Sequence, residues 1–214
     1  MRIEVWSDVV CPWCYVGKRR LESALSRFPS RDEVEVVWRS FELDPEAPRR
    51  RSGTASEHLA RKYGRTEEQV AESWRNLTAL AAEEGLDYHL ESTAGGNSFD
   101  AHRLIHLGAA HGIQDEVKER LLRAYFTEGA AIGEPEVLQR LGVEAGLPPD
   151  EVAELLAGDR FAAGVRDDEQ RGFNFGIRGV PFFGIDERLG VSGAQSSEVI
   201  LAALEQAWAE RAAA

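Results

Sequence analysis

Read for the spacing of its apolar positions, the chain looks strand-like near both ends and helical in between. Residues 3–7 and 34–41 concentrate β-branched and aromatic side chains, among them Ile3, Val5, Trp6, Val36, Val37 and Trp38, which predicts two strands. Between them Val16, Leu21, Leu25 and Phe28 recur at helical spacing, and Pro29 closes the run. This β-α-β order favours parallel pairing and places Cys11 at a strand-to-helix turn. Over residues 44–56 the pattern gives way to Pro, Arg, Ser and Gly, including Arg49-Arg50-Arg51, and reads as an exposed connection.

The middle of the chain carries repeated helix start and stop signals. Thr66 with Gln69 fits a capping box, Val70, Trp74, Leu77 and Ala81 share one face, and Gly85 ends the run. Ser98 is placed to cap a helix through Ala101, Leu104, Ile105 and Leu107, and another runs through Val117, Leu121, Leu122 and Tyr125 to Gly129. Pro135 and Pro148-Pro149 sit where helical first turns begin, and residues 161–172 complete the helical block. Strand character returns at residues 181–185 and 189–192. A last helix presents Ile200, Leu204, Ala207 and Trp208 on one face. The expected fold is therefore α/β, a β-α-β and β-β-α sheet domain over residues 1–52 and 173–214, interrupted by an all-helical domain over 53–172.

Composition narrows the functional classes. A chain of 214 residues with 43% hydrophobic and 29% charged residues is ordinary globular material. Its formal charge of -12 argues against nucleic acid or an anionic membrane surface as partner. No apolar run approaches the roughly 18 residues of a membrane span. The first strand follows Met1 and Arg2 directly, without the apolar leader of a secreted protein, so the cytoplasm is the expected location.

The chain has only two cysteines, Cys11 and Cys14, spaced Cys-Pro-Trp-Cys. With Cys11 at the N-cap and Pro12 where a missing N–H costs nothing, the helix N-terminus favours a thiolate at Cys11. The N–H groups of Trp13 and Cys14 are then expected to point at its sulfur. Cys14, one turn on, lies within disulfide reach of Cys11 and is placed to resolve a mixed disulfide. A zinc site would need four ligands, and beyond the pair only His102 and His106 are suitably spaced, so no metal is expected. A purely structural disulfide closing so short a loop would do little to the unfolded chain. Asp8 reads as a turn or capping residue. Proline in Gly179-Val180-Pro181, just before a strand, would ordinarily be trans.

The segment from Asp8 through Cys11-Pro12-Trp13-Cys14-Tyr15-Val16-Gly17 resembles the DsbA family of the thioredoxin superfamily, in particular its FrnE-like branch. So do Ala101-His102-Arg103-Leu104, the stretch from Ala124 to Gly129, Gly179-Val180-Pro181-Phe182-Phe183 and Val191-Ser192-Gly193-Ala194-Gln195. The resemblance runs in order along nearly the whole chain. It implies a thioredoxin fold with a helical insertion, a redox-active Cys11–Cys14 pair with Cys11 attacking and Cys14 resolving, and a cis bond at Pro181. It also implies an extended substrate beside Val180 and Trp13 at the rim.

The function expected on these grounds is thiol-disulfide exchange with a protein or small-molecule disulfide, with no tightly bound cofactor and with glutathione as an optional co-substrate. Glutathione would contact Val180, Ser192, Gly193 and Ala194 near a helix N-terminus. The alternatives are a glutathione-dependent isomerase or transferase related to 2-hydroxychromene-2-carboxylate isomerase and kappa-class glutathione transferases, and a redox-sensing chaperone or binding module. Relatives of the isomerase type usually carry serine at the catalytic position, whereas both cysteines stand here.

Overall fold

The computed structural model describes residues 1–212 and divides the chain into two units, residues 1–43 with 162–214 and residues 44–161. In the first unit the two early strand segments form β1 (Arg2–Ser7) and β2 (Glu35–Ser40), with α1 (Pro12–Arg27) between them. They are joined in parallel from Arg2↔Glu35 to Ser7↔Ser40, as a β-α-β crossover requires. After α8 (Ala162–Asn174), β3 (Phe182–Ile185) pairs antiparallel with β1, and β4 (Leu189–Ser192) pairs antiparallel with β3. The order is β2-β1-β3-β4, and α9 (Ser197–Ala212) follows. This mixed α/β arrangement is the thioredoxin fold.

Strand alternation assigns β1 two different faces. Ile3 and Val5 are wholly buried, and Phe183 and Ile185 of β3 are likewise almost completely covered. Helices α1 and α9 pack together, with Phe28 edge-on to Trp208 at 5.7 Å between ring centres. On the other face Glu4 and Trp6 meet α8. The Trp6 indole N–H donates to the Asp168 carbonyl at 2.9 Å, and Arg171 donates to Glu4 at 2.7 Å. A methyl group at Gly172 would lie 2.9 Å from the indole nitrogen, so α8 approaches β1 closely because that position lacks a side chain.

The second unit is all-helical, with α2 (Ala55–Tyr63), α3 (Glu67–Glu83), α4 (Phe99–Ala110), α5 (Gln114–Phe126), α6 (Pro135–Glu144) and α7 (Pro149–Ala157). Its core gathers Leu104, Leu107, Leu122, Leu138, Leu141, Val152 and Leu155, all fully buried. Arg103 is buried with them and closes the end of α7. Its guanidinium donates to the carbonyls of Leu155, Gly158 (2.8 Å) and Arg160 (2.9 Å) and pairs with Asp100 (2.8 Å). The Leu155 and Gly158 carbonyls lie at the C-terminal end of α7, and that of Arg160 lies in the segment just beyond it.

Four expectations need correction. Residues 162–172, read as the end of the helical block, belong to the sheet unit. The Asp168 carboxylate receives the Ser40 N–H at 3.0 Å and the Arg39 guanidinium at 2.9 Å, which ties α8 to β2. Residues 44–52 belong with the helical unit, where the Asn97 N–H donates to the Pro48 carbonyl at 3.0 Å and Arg51 pairs with Asp44. Within the stretch read as loop, α2 starts at a full capping box between Thr54 and Glu57. The helix buries no residue, so no apolar stripe announced it. Ser98 stands at the N-cap of α4 without a side-chain cap bond, and Asn97 instead receives the Phe99 N–H at 2.9 Å.

Candidate active site

The turn between β1 and α1 is built around Asp8. Its backbone carbonyl receives the Cys11 N–H at 3.3 Å, and its carboxylate receives the N–H groups of Leu43 (2.7 Å) and Val10 (3.4 Å). The side chain is completely buried. Asp8 therefore shapes the loop that delivers Cys11 to the first turn of α1, the turn role read from sequence.

Cys11 is the N-cap of α1, in extended conformation, with Pro12 opening the helix. Its sulfur makes no cap hydrogen bond, contrary to the expectation that Trp13 and Cys14 would donate to it. The thiol instead lies 3.6 Å from the Val180 carbonyl, to which it donates. The Cys14 N–H donates to the Cys11 carbonyl at 3.0 Å, closing the turn through the backbone. Both cysteines are buried and unjoined, Cys11 at 4% and Cys14 at 1% exposure, whereas Trp13 between them is 42% exposed.

The other wall comes from the far end of the sequence. The Val180–Pro181 bond is cis, and the Pro181 carbonyl receives the Gly193 N–H at 2.8 Å. Gly193 has φ of 79°, the left-handed region that glycine occupies without strain. Arg20 donates to the Ala194 carbonyl at 2.6 Å and so ties this loop to α1. Ser192 is exposed and stands opposite Phe182 in the sheet. The β1–β3 register ends with Trp6 opposite Phe182, so the Val180 backbone stays outside that ladder.

Pro181 reaches α1 because residue 17 has no side chain. A Cβ there would stand 2.9 Å from Pro181 Cγ and 3.2 Å from Phe183 Cζ. The structure thus brings Cys11, Cys14, Val180 and Pro181 together, joins Gly193 and Ala194 to the same wall, and leaves Trp13 at the surface. His102 is buried in the helical unit and His106 stacks on Phe161 there, 6.0 Å between ring centres.

Sequence reading missed a charged cluster behind the turn. Glu42, just beyond β2, is fully buried in its side chain and pairs with Arg166 of α8. Its N–H donates to Glu169 at 3.0 Å, and Arg166 also holds Glu169 at 2.7 Å. Burial, assisted by the nearby carboxylates of Glu169 and Asp8, pushes the Glu42 carboxyl up to about 7 against the pull of Arg166. More than 120 residues separate these partners along the chain, and no local motif marks them.

Known proteins share this architecture. A probable DsbA oxidoreductase from Streptomyces coelicolor superposes with a TM-score of 0.94 at 45% identity, over 98% of this chain and 91% of that one. At 14% identity, a 2-hydroxychromene-2-carboxylate isomerase matches with a TM-score of 0.71 over 99% of this chain and 98% of that chain. The cytosolic disulfide reductase DsbM of Pseudomonas aeruginosa, solved alone and with GSH, matches at 19% identity with a TM-score of 0.66, covering 96% and 98% of the two chains. Below 25% identity such likeness concerns the fold. With residues 2–205 matching the DSBA-like thioredoxin domain model, the chain belongs to the DsbA-like family of the thioredoxin superfamily.

Proposed function

We propose that the protein is a thiol-disulfide oxidoreductase that works through Cys11 and Cys14. The observation that carries this reading is the Cys11 thiol at the first turn of α1, 3.6 Å from the Val180 carbonyl and beside Pro181, in a chain of this family. In the reducing direction the Cys11 thiolate attacks a substrate disulfide, forms a mixed disulfide and releases the first substrate sulfur as a thiol. Cys14 gives up its proton and attacks Cys11, displacing the second substrate sulfur. The two electrons of the dithiol pass to the substrate, and a Cys11–Cys14 disulfide remains. The opposite direction runs the same steps backwards, with direction set by reduction potential against the surroundings.

Substrate access follows from the exposure pattern. The Val180 backbone lies outside the sheet ladder, so an extended peptide pairs with it by strand addition while its disulfide meets Cys11. Trp13 supplies an exposed aromatic surface at the rim. Glutathione is the proposed co-substrate that returns the pair to the dithiol form, with Ser192, Gly193 and Ala194 near the N-terminus of α9 as its contact region. The DsbM structure solved with GSH supports that assignment. The cytoplasm is the proposed compartment, the location named for DsbM. Among the described residues, no helix is long and apolar enough to cross a membrane.

The test is to trap the intermediate. A Cys14→Ala variant, quenched with acid and alkylated, should carry a mixed disulfide on Cys11, and mass spectrometry identifies what is attached. Protein adducts support dithiol exchange, and glutathione alone shifts the reading toward glutathione-dependent chemistry. A Cys11 that stays a free thiol under oxidising challenge overturns the redox reading.

A further inference from the structure

Two neighbouring positions on α1 meet the far end of the chain in different ways. Gly17 and Arg20 stand at i and i+3 on the helix and so share a face. Gly17 leaves room for Pro181, whose Cγ would lie 2.9 Å from a Cβ at that position. Arg20, one turn further on, donates to the Ala194 carbonyl at 2.6 Å, across 174 residues of sequence. Close packing at Gly17 limits how near Pro181 can come to α1. The Arg20 hydrogen bond is directional and opposes movement away from it.

The Ala194 carbonyl is one residue from the wall of the redox site. Gly193 donates its N–H to the Pro181 carbonyl at 2.8 Å, just beyond the last β3–β4 pair, Phe182 opposite Ser192. Val180 precedes Pro181, and its carbonyl receives the Cys11 thiol at 3.6 Å. Gln195 folds back on the same segment, its N–H to the Gly193 carbonyl and its side-chain amide to the Ser192 carbonyl, both at 2.9 Å. These bonds stay within the loop, whereas the Arg20 bond reaches α1. Cys11 is the N-cap of that same helix. The helix that carries the thiol therefore also holds, through Arg20, the loop that braces Pro181 and Val180.

We propose that Arg20 is a positioning residue for the substrate chain: its hold on the Ala194 carbonyl keeps the Val180 backbone at the spacing from Cys11 that an extended peptide disulfide requires. The inference rests on the reading of Cys11 as the attacking thiol and of Val180 as the backbone that receives the peptide. It separates two kinds of substrate. A peptide that pairs with Val180 must meet that backbone and Cys11 at once, so an error in their spacing weakens its binding. A small disulfide without a peptide backbone needs Cys11 and is much less sensitive to the wall.

The experiment follows oxidation of the reduced protein by two probes. One is a cysteine-containing peptide joined by a disulfide to 2-mercaptoethanol, the other bis(2-hydroxyethyl) disulfide, so the two share the mercaptoethanol half and differ in the peptide. With either probe the two electrons of the Cys11–Cys14 dithiol reduce the probe disulfide to two thiols. Arg20→Met keeps an aliphatic stem and loses the donor. It should raise the half-saturating peptide concentration by about tenfold, the worth of a hydrogen bond from a charged group, with little change in the limiting rate. The rate with the small disulfide should fall far less. Arg20→Lys restores a donor and should give an intermediate shift, and it carries the same comparison if Arg20→Met does not fold. An equal fall with both probes, or an unchanged half-saturating peptide concentration in the variants, overturns the inference. A parent protein that reacts with neither probe removes the redox reading as well, and one that reacts with both but is not saturated by the peptide removes the Val180 reading. A parent that favours the peptide, with variants that favour it equally, removes the inference alone.

Discussion

Gly17→Ala tests the geometry of the site through a sign. In an unobstructed helix interior, replacing glycine by alanine stabilises by about 0.8–1 kcal/mol, because glycine loses more backbone freedom on folding. At position 17 the added methyl would sit 2.9 Å from Pro181 Cγ, 3.2 Å from Phe183 Cζ and 3.4 Å from Pro181 Cβ. Carbon atoms prefer about 3.5–4.0 Å, so the closest contact is short by roughly 0.6 Å or more. Neither obstacle swings aside easily. Pro181 is a ring fixed in the backbone, and Phe183 is 1% exposed. Relieving such an overlap costs about 1–3 kcal/mol, which outweighs the helix-propensity gain over most of that range. We therefore expect a net loss of up to about 2 kcal/mol, read as a lower midpoint in urea with an unchanged slope. Moving Pro181 away from α1 also disturbs the Val180 carbonyl that faces Cys11, so disulfide exchange should slow by more than the stability loss explains. A Gly17→Ala protein more stable than the parent by about 1 kcal/mol, with normal exchange, would refute the close approach of Pro181 to α1.

Three further substitutions probe the supporting structure. Because Glu42 titrates at about 7 when folded, above its ordinary 4.5, the folded state binds the proton more tightly and stability should fall as pH rises from about 4.5 to 7. Glu42→Gln should flatten that decline, worth up to about 3 kcal/mol at pH 8, and urea titrations at several pH values that run parallel for the two proteins would contradict it. Arg103→Met leaves Asp100 and the carbonyls of Leu155, Gly158 and Arg160 without their shared donor, an expected loss of about 3–5 kcal/mol in thermal or chemical unfolding. Trp6→Phe removes the indole donor of the Asp168 carbonyl and should cost about 1–3 kcal/mol, and an unchanged urea midpoint would show that this bond carries no stability.

The parts of the site that sequence reading reached are those with chemistry of their own. Cys11, Cys14 and Pro12 announce themselves by residue type and spacing, and Asp8 by its place three residues before a helix start. The cis geometry of Pro181 came from family resemblance, since local sequence argued for trans. What was missed depends on contacts between distant segments. Nothing around Glu42 indicates that Arg166 and Glu169 will close over it, and Gly17 looks like an ordinary helix glycine until Pro181 and Phe183 stand beside it. The sulfur of Cys11 turned to the Val180 carbonyl rather than to its own helix for the same reason, because its partner comes from the other end of the chain.

The misplaced boundary of the helical block has a physical origin in β1. The run Ile3-Glu4-Val5-Trp6 has apolar and charged residues too mixed to say which face is covered, and a charged residue at position 4 suggests an open face. Both faces are in fact closed. Glu4 is only 4% exposed because Arg39 and Arg171 neutralise it, and Trp6 is 1% exposed because Gly172 lets α8 close over it. A buried carboxylate is tolerated when paired and hydrogen-bonded, so the second face of this sheet is sealed by an ion network at Glu4 beside an apolar cluster of Trp6, Phe41, Ile177, Val180 and Phe182. The same network explains why α8 read as part of the insertion. Its inner face presents Asp168 and Glu169, residues that in isolation mark a solvated helix, and they are buried only because Arg39 and the Ser40 N–H meet Asp168 while the Glu42 N–H and Arg166 meet Glu169.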